Sequence, residues 1–428
     1  MSPDRRLNPH AAEVKRVYQN VWSTLRPDGK VEVFNERFFR QLDDVTLQWT
    51  LLHDGRPVRS GFVDDINVAP QSVGVVDVPY GKTDAEGEWL LNLVYLTKEA
   101  EGVLPAAYDI ARQQLAVADN PSSDCDVTAA PMTKRLIVNG DTISGENFKI
   151  VFDSESGFIS DYTVNGVAML KDGAQLHPNF WRAPTDIDYG AHTQKEYRVW
   201  LNPVMRLTQF EVSEGDGKTL VKTAFDMPDV KARLILDYTI YGNGVVALTE
   251  SLDADENAEG IPNMYRFGIE MAMPADLEYI EYYGRGPGEN YIDRQTGYDL
   301  GIYRQMVTEQ PYSYIRPQET GTRTDLRYYT VADKSGNGLK FTAAKPFSGS
   351  ALHYYTSTLD GGIEKPNTHW GELDEDDVTN VCLDLVQQGV GCLNGWGGRP
   401  LPKHRVPYGD YRFNLVITPV HNKYVAED

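Results

Sequence analysis

Cysteine is scarce in this chain: Cys125, Cys382 and Cys392 are the only three in 428 residues. An odd number, with two of them only ten apart, suits neither a disulfide framework nor a paired CxxC zinc site, so free buried thiols are expected. The eight histidines show no HxH or HxxxH spacing, and a GxSxG elbow is missing, which removes the familiar zinc and serine-nucleophile patterns. No metal site and no cofactor are expected in the chain. Basic residues are also few, 41 Lys and Arg against 62 Asp and Glu, for a formal charge of -21. Neutralising phosphates takes clustered Lys and Arg, so a nucleic-acid partner is not expected. Nowhere do about 18 apolar residues follow one another, and Met1 to Asn20 lacks the apolar core of a leader peptide. Neither a membrane span nor a signal is expected; the cytoplasm is the favoured compartment, with the periplasm following if the natural chain starts elsewhere.

What the chain does have is period-two patterning. Val45, Leu47, Trp49 and Leu51 alternate with Thr46, Gln48 and Thr50, and Asp54-Gly55 then turns into a second extended run. Trp89, Leu91, Leu93 and Tyr95 form another alternating face, as do Leu234, Leu236, Tyr238 and Ile240 before the Gly242-Asn243-Gly244 turn. Helical signal is thin. Val14, Val17, Tyr18, Val21, Trp22 and Leu25 fit a helical spacing, but the stretch also alternates and is rich in β-branched Val, so a strand is expected there. Gln194 to Leu201 is expected to be a short helix stopped by Pro203. The strand–helix repetition of a βα barrel is missing, and the expected class is all-β.

Asp119-Asn120-Pro121-Ser122-Ser123-Asp124 breaks the apolar text and reads as a linker. Residues 1–118 suit one sandwich of about 100 residues. A linker over 119–133 and one large β domain over 134–428 complete the expected organisation.

Among possible sites, Gly284-Arg285-Gly286-Pro287-Gly288 lacks the spacing of a dinucleotide loop and has no helical text after it, so a tight turn is expected. Asp253, Asp255, Asn257 and Glu259 alternate like calcium ligands, but Gly260 comes two positions late for an EF-hand, and a solvated turn is expected. Glu289, Asp293 and Glu319 sit among Gly, Asn, Tyr and Arg. Arg285 and Arg294 are close to the first two in sequence, and arginine pairing lowers a carboxyl pKa, which suits framework bridging better than acid catalysis. Trp396 lies in Gly389-Val390-Gly391-Cys392-Leu393-Asn394-Gly395-Trp396-Gly397-Gly398. Composition favours a core-packed indole, although a glycine-rich loop is a good place to present one.

Four stretches together resemble the C-terminal part of the bacterial β-galactosidases of glycoside hydrolase family 2. They are Phe180-Trp181-Arg182-Ala183-Pro184-Thr185-Asp186-Ile187-Asp188-Tyr189-Gly190; Gly284-Arg285-Gly286-Pro287-Gly288-Glu289-Asn290-Tyr291-Ile292-Asp293-Arg294; Arg316-Pro317-Gln318-Glu319-Thr320-Gly321; and the Trp396 loop. The front portion resembles the fourth domain of that family through Asn8-Pro9-His10 and Asp109-Ile110-Ala111-Arg112-Gln113-Gln114. Two departures stand out: Ile187 replaces the usual Asn, and Gly391-Cys392-Leu393-Asn394-Gly395 differs from the usual Gly-Gly-Asp-Asp/Asn-Ser before the tryptophan.

The resemblance implies an immunoglobulin-like sandwich followed by a galactose-mutarotase-like β supersandwich. It implies that the catalytic barrel, with both glutamates and with the magnesium and sodium ligands, belongs to another portion of the protein. By the match, Trp396 and Asn394 contact the sugar, and Asp186, Asp188, Tyr189 and Gly190 form an active-site loop hinged at Gly190. No residue here is then catalytic. The partners implied are a barrel portion or large subunit and a β-galactoside, in an enzyme that is oligomeric when intact. A stand-alone carbohydrate-binding module is the alternative, followed by an aldose epimerase, which needs a His/Glu pair converging on the sugar.

Overall fold

The computed structural model describes residues 5–83, 85–120 and 136–421. It divides into two units that are not continuous in sequence. One comprises Leu7–Ser123 with Thr296–Ile302, the other Met1–Arg6, Asp124–Gln295 and Tyr303–Asp428. The short return segment 296–302 falls outside the continuous boundary at 118, because linker composition marks chain breaks and not the excursion of a distant loop.

The smaller unit is an immunoglobulin-like sandwich. Strands Val21–Leu25, Val31–Asn35 and Ser72–Val76 form one antiparallel sheet; Arg56–Val63, Val45–His53, Gly87–Thr97 and Asp109–Asn120, in that order, form the other. Alternation does what the sequence requires: Val45, Leu47, Trp49 and Leu51 bury one face, and their core joins Val31 and Val33 of the opposing sheet to Leu91, Leu93 and Tyr95. Asp54 and Gly55, both at positive φ (48° and 75°), close the hairpin between His53 and Arg56. Within this unit Gln114 exchanges two hydrogen bonds of 2.8 Å with the backbone of Leu300, and Glu13 accepts from Thr296 Oγ1 and the Gly297 N–H.

The larger unit holds, among the described residues, a five-stranded and a twelve-stranded antiparallel sheet, the layers of a β supersandwich. The long sheet runs from His177–Asn179 through Arg266–Met273, Thr379–Gln387, Asn337–Leu352 and Tyr411–His421 to the meander that ends at Arg206–Gly215. Aromatic contacts such as Phe158 stacked on Phe225 at 5.1 Å fill its core. The all-β class is therefore as expected. No helix among the described residues is long and apolar enough to cross a membrane.

Some local expectations change. Residues 14–25 divide into a helix, His10–Val17, and a strand, Val21–Leu25. Pro9 sets the helical φ at the start, Glu13 lies in the first turn and Lys15 and Arg16 in the last, and Val14 and Val17 stay largely exposed. The apparent single period was two elements read as one. The short helix near 194–201 is a helical turn, Thr193–Glu196, followed by a 3-10 turn, Arg198–Trp200. Of the expected linker, residues 119 and 120 end the strand Asp109–Asn120; the remainder lies outside the described residues, as does Cys125. Cys382 is a buried free thiol, whereas Cys392 is free but only half-buried.

Candidate functional site

The segment from Phe180 to Gly190 is set by two side chains that the sequence places six apart. Thr185 begins a short helix, Asp186–Ala191, over the residues expected to form an active-site loop. Its Oγ1 accepts the Asp188 N–H at 3.2 Å while the Asp188 carboxylate accepts the Thr185 N–H at 2.8 Å, a reciprocal cap encoded in Thr-Asp-Ile-Asp. Asp188 also takes Arg182 through Nε (3.2 Å) and Nη2 (3.0 Å), and both side chains are buried. Arg182 then donates onward to the carbonyls of Gln388 (2.5 Å) and Gly389 (3.2 Å). One guanidinium thus ties the helix at 186 to the start of the loop that carries Trp396, about two hundred residues further along the chain.

Asp293 holds the same loop from the other side. Its carboxylate accepts the N–H groups of Val390 (3.1 Å) and Gly391 (2.7 Å), and a Cβ on Gly389 would lie 2.3 Å from Asp293 Oδ2. Only glycine admits that approach. At the tip, Asn394 Oδ1 accepts the Trp396 N–H at 2.9 Å, and the Cys392 thiol donates to the Asn394 carbonyl at 2.5 Å. Trp396 itself is 95% exposed, which corrects the core-packed reading from composition. The loop is clamped at its base by Arg182 and Asp293, and among the described residues its tip leaves the indole exposed.

The residues expected at the site divide accordingly. Gly190 is exposed and adjacent to the loop: a Cβ on Gly397 (φ 91°) would lie 3.3 Å from the Gly190 carbonyl, and one on Gly190 would lie 3.9 Å from that of Gly395. Asp186 is exposed and pairs with Arg316 and, at 2.9 Å, with Lys365. Asp188 and Tyr189 are not surface residues at all. The first is consumed by Arg182, and the second is buried, donates to the Gly362 carbonyl at 3.1 Å, and has its phenol pushed up to about 12 by burial. Arg182, Arg316 and Lys365 are positioning residues that sequence reasoning passed over, although the first two stand inside the quoted motifs; Asp293, weighed there as a framework carboxylate, is a fourth.

Two further acids weighed as candidates are fully occupied. Glu289 accepts from Arg294, Tyr314, Thr320 Oγ1 and the Gly321 N–H. Glu319 accepts from Arg266 (2.7 Å), Thr322 (2.9 Å) and Tyr291 (3.3 Å). Such saturation suits holding strands and loops in place. Among the described residues no group of three or more His, Cys, Asp or Glu is placed to hold a metal ion.

Comparison with known proteins gives the family of the chain. The family model described as β-galactosidase small chain matches residues 144–417, and that described as β-galactosidase domain 4 matches residues 31–118. The β-galactosidase of Lactobacillus delbrueckii subsp. bulgaricus is 30% identical over 426 residues, 97% of this chain and 40% of that protein. That of Priestia megaterium is 29% identical over 416 residues, 94% and 38% of the respective lengths. Among solved structures, a galactose 1-epimerase from Lactobacillus acidophilus aligns with a TM-score of 0.35 and 7% identity over 68% of this chain and 99% of that one, a likeness too loose to bear on chemistry. The chain spans about two fifths of the length of the curated relatives it matches. With the small-chain model matched over more than half of its length, this chain belongs to the β-galactosidase small-chain family, with a β-galactosidase domain 4 ahead of the small-chain region.

Proposed function

We propose that this chain is the non-catalytic domain 4 and small-chain portion of a retaining β-galactosidase of glycoside hydrolase family 2. A barrel portion or large subunit brings both catalytic glutamates and any magnesium and sodium. The observation that carries the reading is the exposed Trp396 indole on a loop clamped beside Gly190. An indole face is a stacking platform for the apolar face of a sugar, and holding the leaving sugar against the scissile bond supplies orientation, while closing the pocket excludes water. The carboxyl pair about 5–5.5 Å apart that retention demands belongs to the barrel.

The test is catalytic. The purified chain should not hydrolyse an aryl β-galactoside, and adding a separately produced barrel portion should restore turnover. In the completed enzyme Trp396→Ala should raise KM for galactosides. Hydrolysis by the chain alone would overturn the reading.

A further inference from the structure

We propose that a cleft on the long sheet of the larger unit is a binding site for a neutral saccharide, distinct from the Trp396 loop. The cleft has a volume of about 810 Å³, inside the ~300–1,000 Å³ range of small-molecule sites, and no residue of the 389–398 loop lines it.

Its floor follows from strand register. His177 stands directly opposite Glu270 across neighbouring strands, and Ala272 opposite Asn380, so period-two alternation sends these side chains to one face. The histidine and the glutamate are ninety-three residues apart in the chain, and no sequence spacing could have paired them. One wall is the 3-10 turn Arg198–Trp200; the other is the helical turn Thr356–Leu359 behind Tyr355.

The hydrogen-bonding inventory defines the ligand. Glu270 Oε1 accepts from Asn380 (2.7 Å) and Thr356 (3.1 Å), while Oε2 has no donor among the described residues. Arg198 lies 5.9 Å over the Trp181 ring and makes no hydrogen bond or ion pair among the described residues, and its Nη1 is closed off from solvent with no acceptor. Its other guanidinium N–H groups line the cleft as donors that a ligand hydroxyl can engage. His177 spends Nδ1 on the Pro178 carbonyl, leaving Nε2 towards the cleft. Asp360 is occupied at both oxygens, by the Trp181 indole N–H and the Gly362 N–H, and so fixes the aromatic wall.

A phosphate would meet Glu270, Asp360 and Asp172, and an ammonium would meet Arg198. Donors and acceptors mixed around apolar walls suit a ligand whose groups both donate and accept, which is the chemistry of a sugar hydroxyl.

The test is a titration of the intact chain with galactose, glucose and lactose, followed by calorimetry and tryptophan fluorescence. Saturable binding of at least one sugar is expected. It should weaken about tenfold or more in Arg198→Gln and vanish in Ser357→Trp, which fills the cleft mouth from an exposed position. Absence of saturable binding would overturn the proposal. So would binding that Trp396→Ala removes and Ser357→Trp spares, an outcome that would leave the aglycone role of Trp396 standing. If no sugar binds but Ser357→Trp blocks restoration of turnover by the barrel portion, the cleft is a protein contact and the proposal fails.

Discussion

At the residue scale, the informative side chains are those whose environment contradicts their chemistry. Trp396 is apolar and in water; Glu250 is acidic and wholly buried, with neither carboxylate oxygen hydrogen-bonded among the described residues. Because the indole is almost fully exposed among the described residues, Trp396→Ala should leave the thermal midpoint of the isolated chain within about 1–2 °C, checked by differential scanning fluorimetry. Burial, reinforced by the Asp384 charge, pushes Glu250 well above its usual range, and burial pushes Asp384 up to about 7. Raised acid pKa values mean that the folded chain holds protons which the unfolded chain releases. The contribution of Asp384 to stability is present below about pH 4 and is lost as pH climbs towards 7, and that of Glu250 is lost as pH climbs through its own raised range. Unfolding midpoints should therefore fall between pH 5 and pH 8. Glu250→Gln should flatten that slope and stabilise the chain at pH 8 by on the order of 1–2 kcal/mol relative to its effect at pH 5. A midpoint that rises with pH in the variant and the parent alike would dismiss the assignment.

Elements matter here chiefly through their ends. The helix Asp186–Ala191 exists because Thr185 and Asp188 cap one another, and the Trp396 loop stands because Arg182 and Asp293 seize its first residues. Asp188→Asn leaves Arg182 buried without its counter-charge, a change expected to cost about 3–5 kcal/mol by denaturant unfolding. Asp293→Ala removes two charge-assisted bonds at a partly exposed position and should cost less, about 1–3 kcal/mol. Its signature is local: amide exchange at Val390 and Gly391 should accelerate while exchange in the strand Thr379–Gln387 stays unchanged.

On the scale of the whole molecule there are two separate hydrophobic cores, and the smaller unit includes residues the chain supplies late. Gln114 serves Leu300, and Glu13 serves Thr296 and Gly297, so the sandwich is completed only after most of the larger unit has been synthesised. Gln114→Ala leaves the Leu300 N–H and C=O without that partner, at a cost of about 1–2 kcal/mol, and should speed amide exchange in the strand Asp109–Asn120 about tenfold. Exchange unaltered there would show that segment 296–302 is dispensable to the sandwich.

Much of the fold could be read directly from the sequence, because period-two alternation and turn residues such as Asp54-Gly55 act locally, within one strand or hairpin. The same locality explains the failures: His10–Val17 and Val21–Leu25 shared a pattern that neither core contact nor capping could yet divide. The candidate site was legible as a set of co-linear motifs, and Thr185-Asp186-Ile187-Asp188 already encoded its helix cap. Exposure was not legible. Whether Trp396 faces water, whether Asp188 and Tyr189 are buried, and whether His177 meets Glu270 all depend on which distant strands pair and in what register. Hydrogen bonding across a twelve-stranded sheet sets that register over the whole chain, and no local spacing contains it.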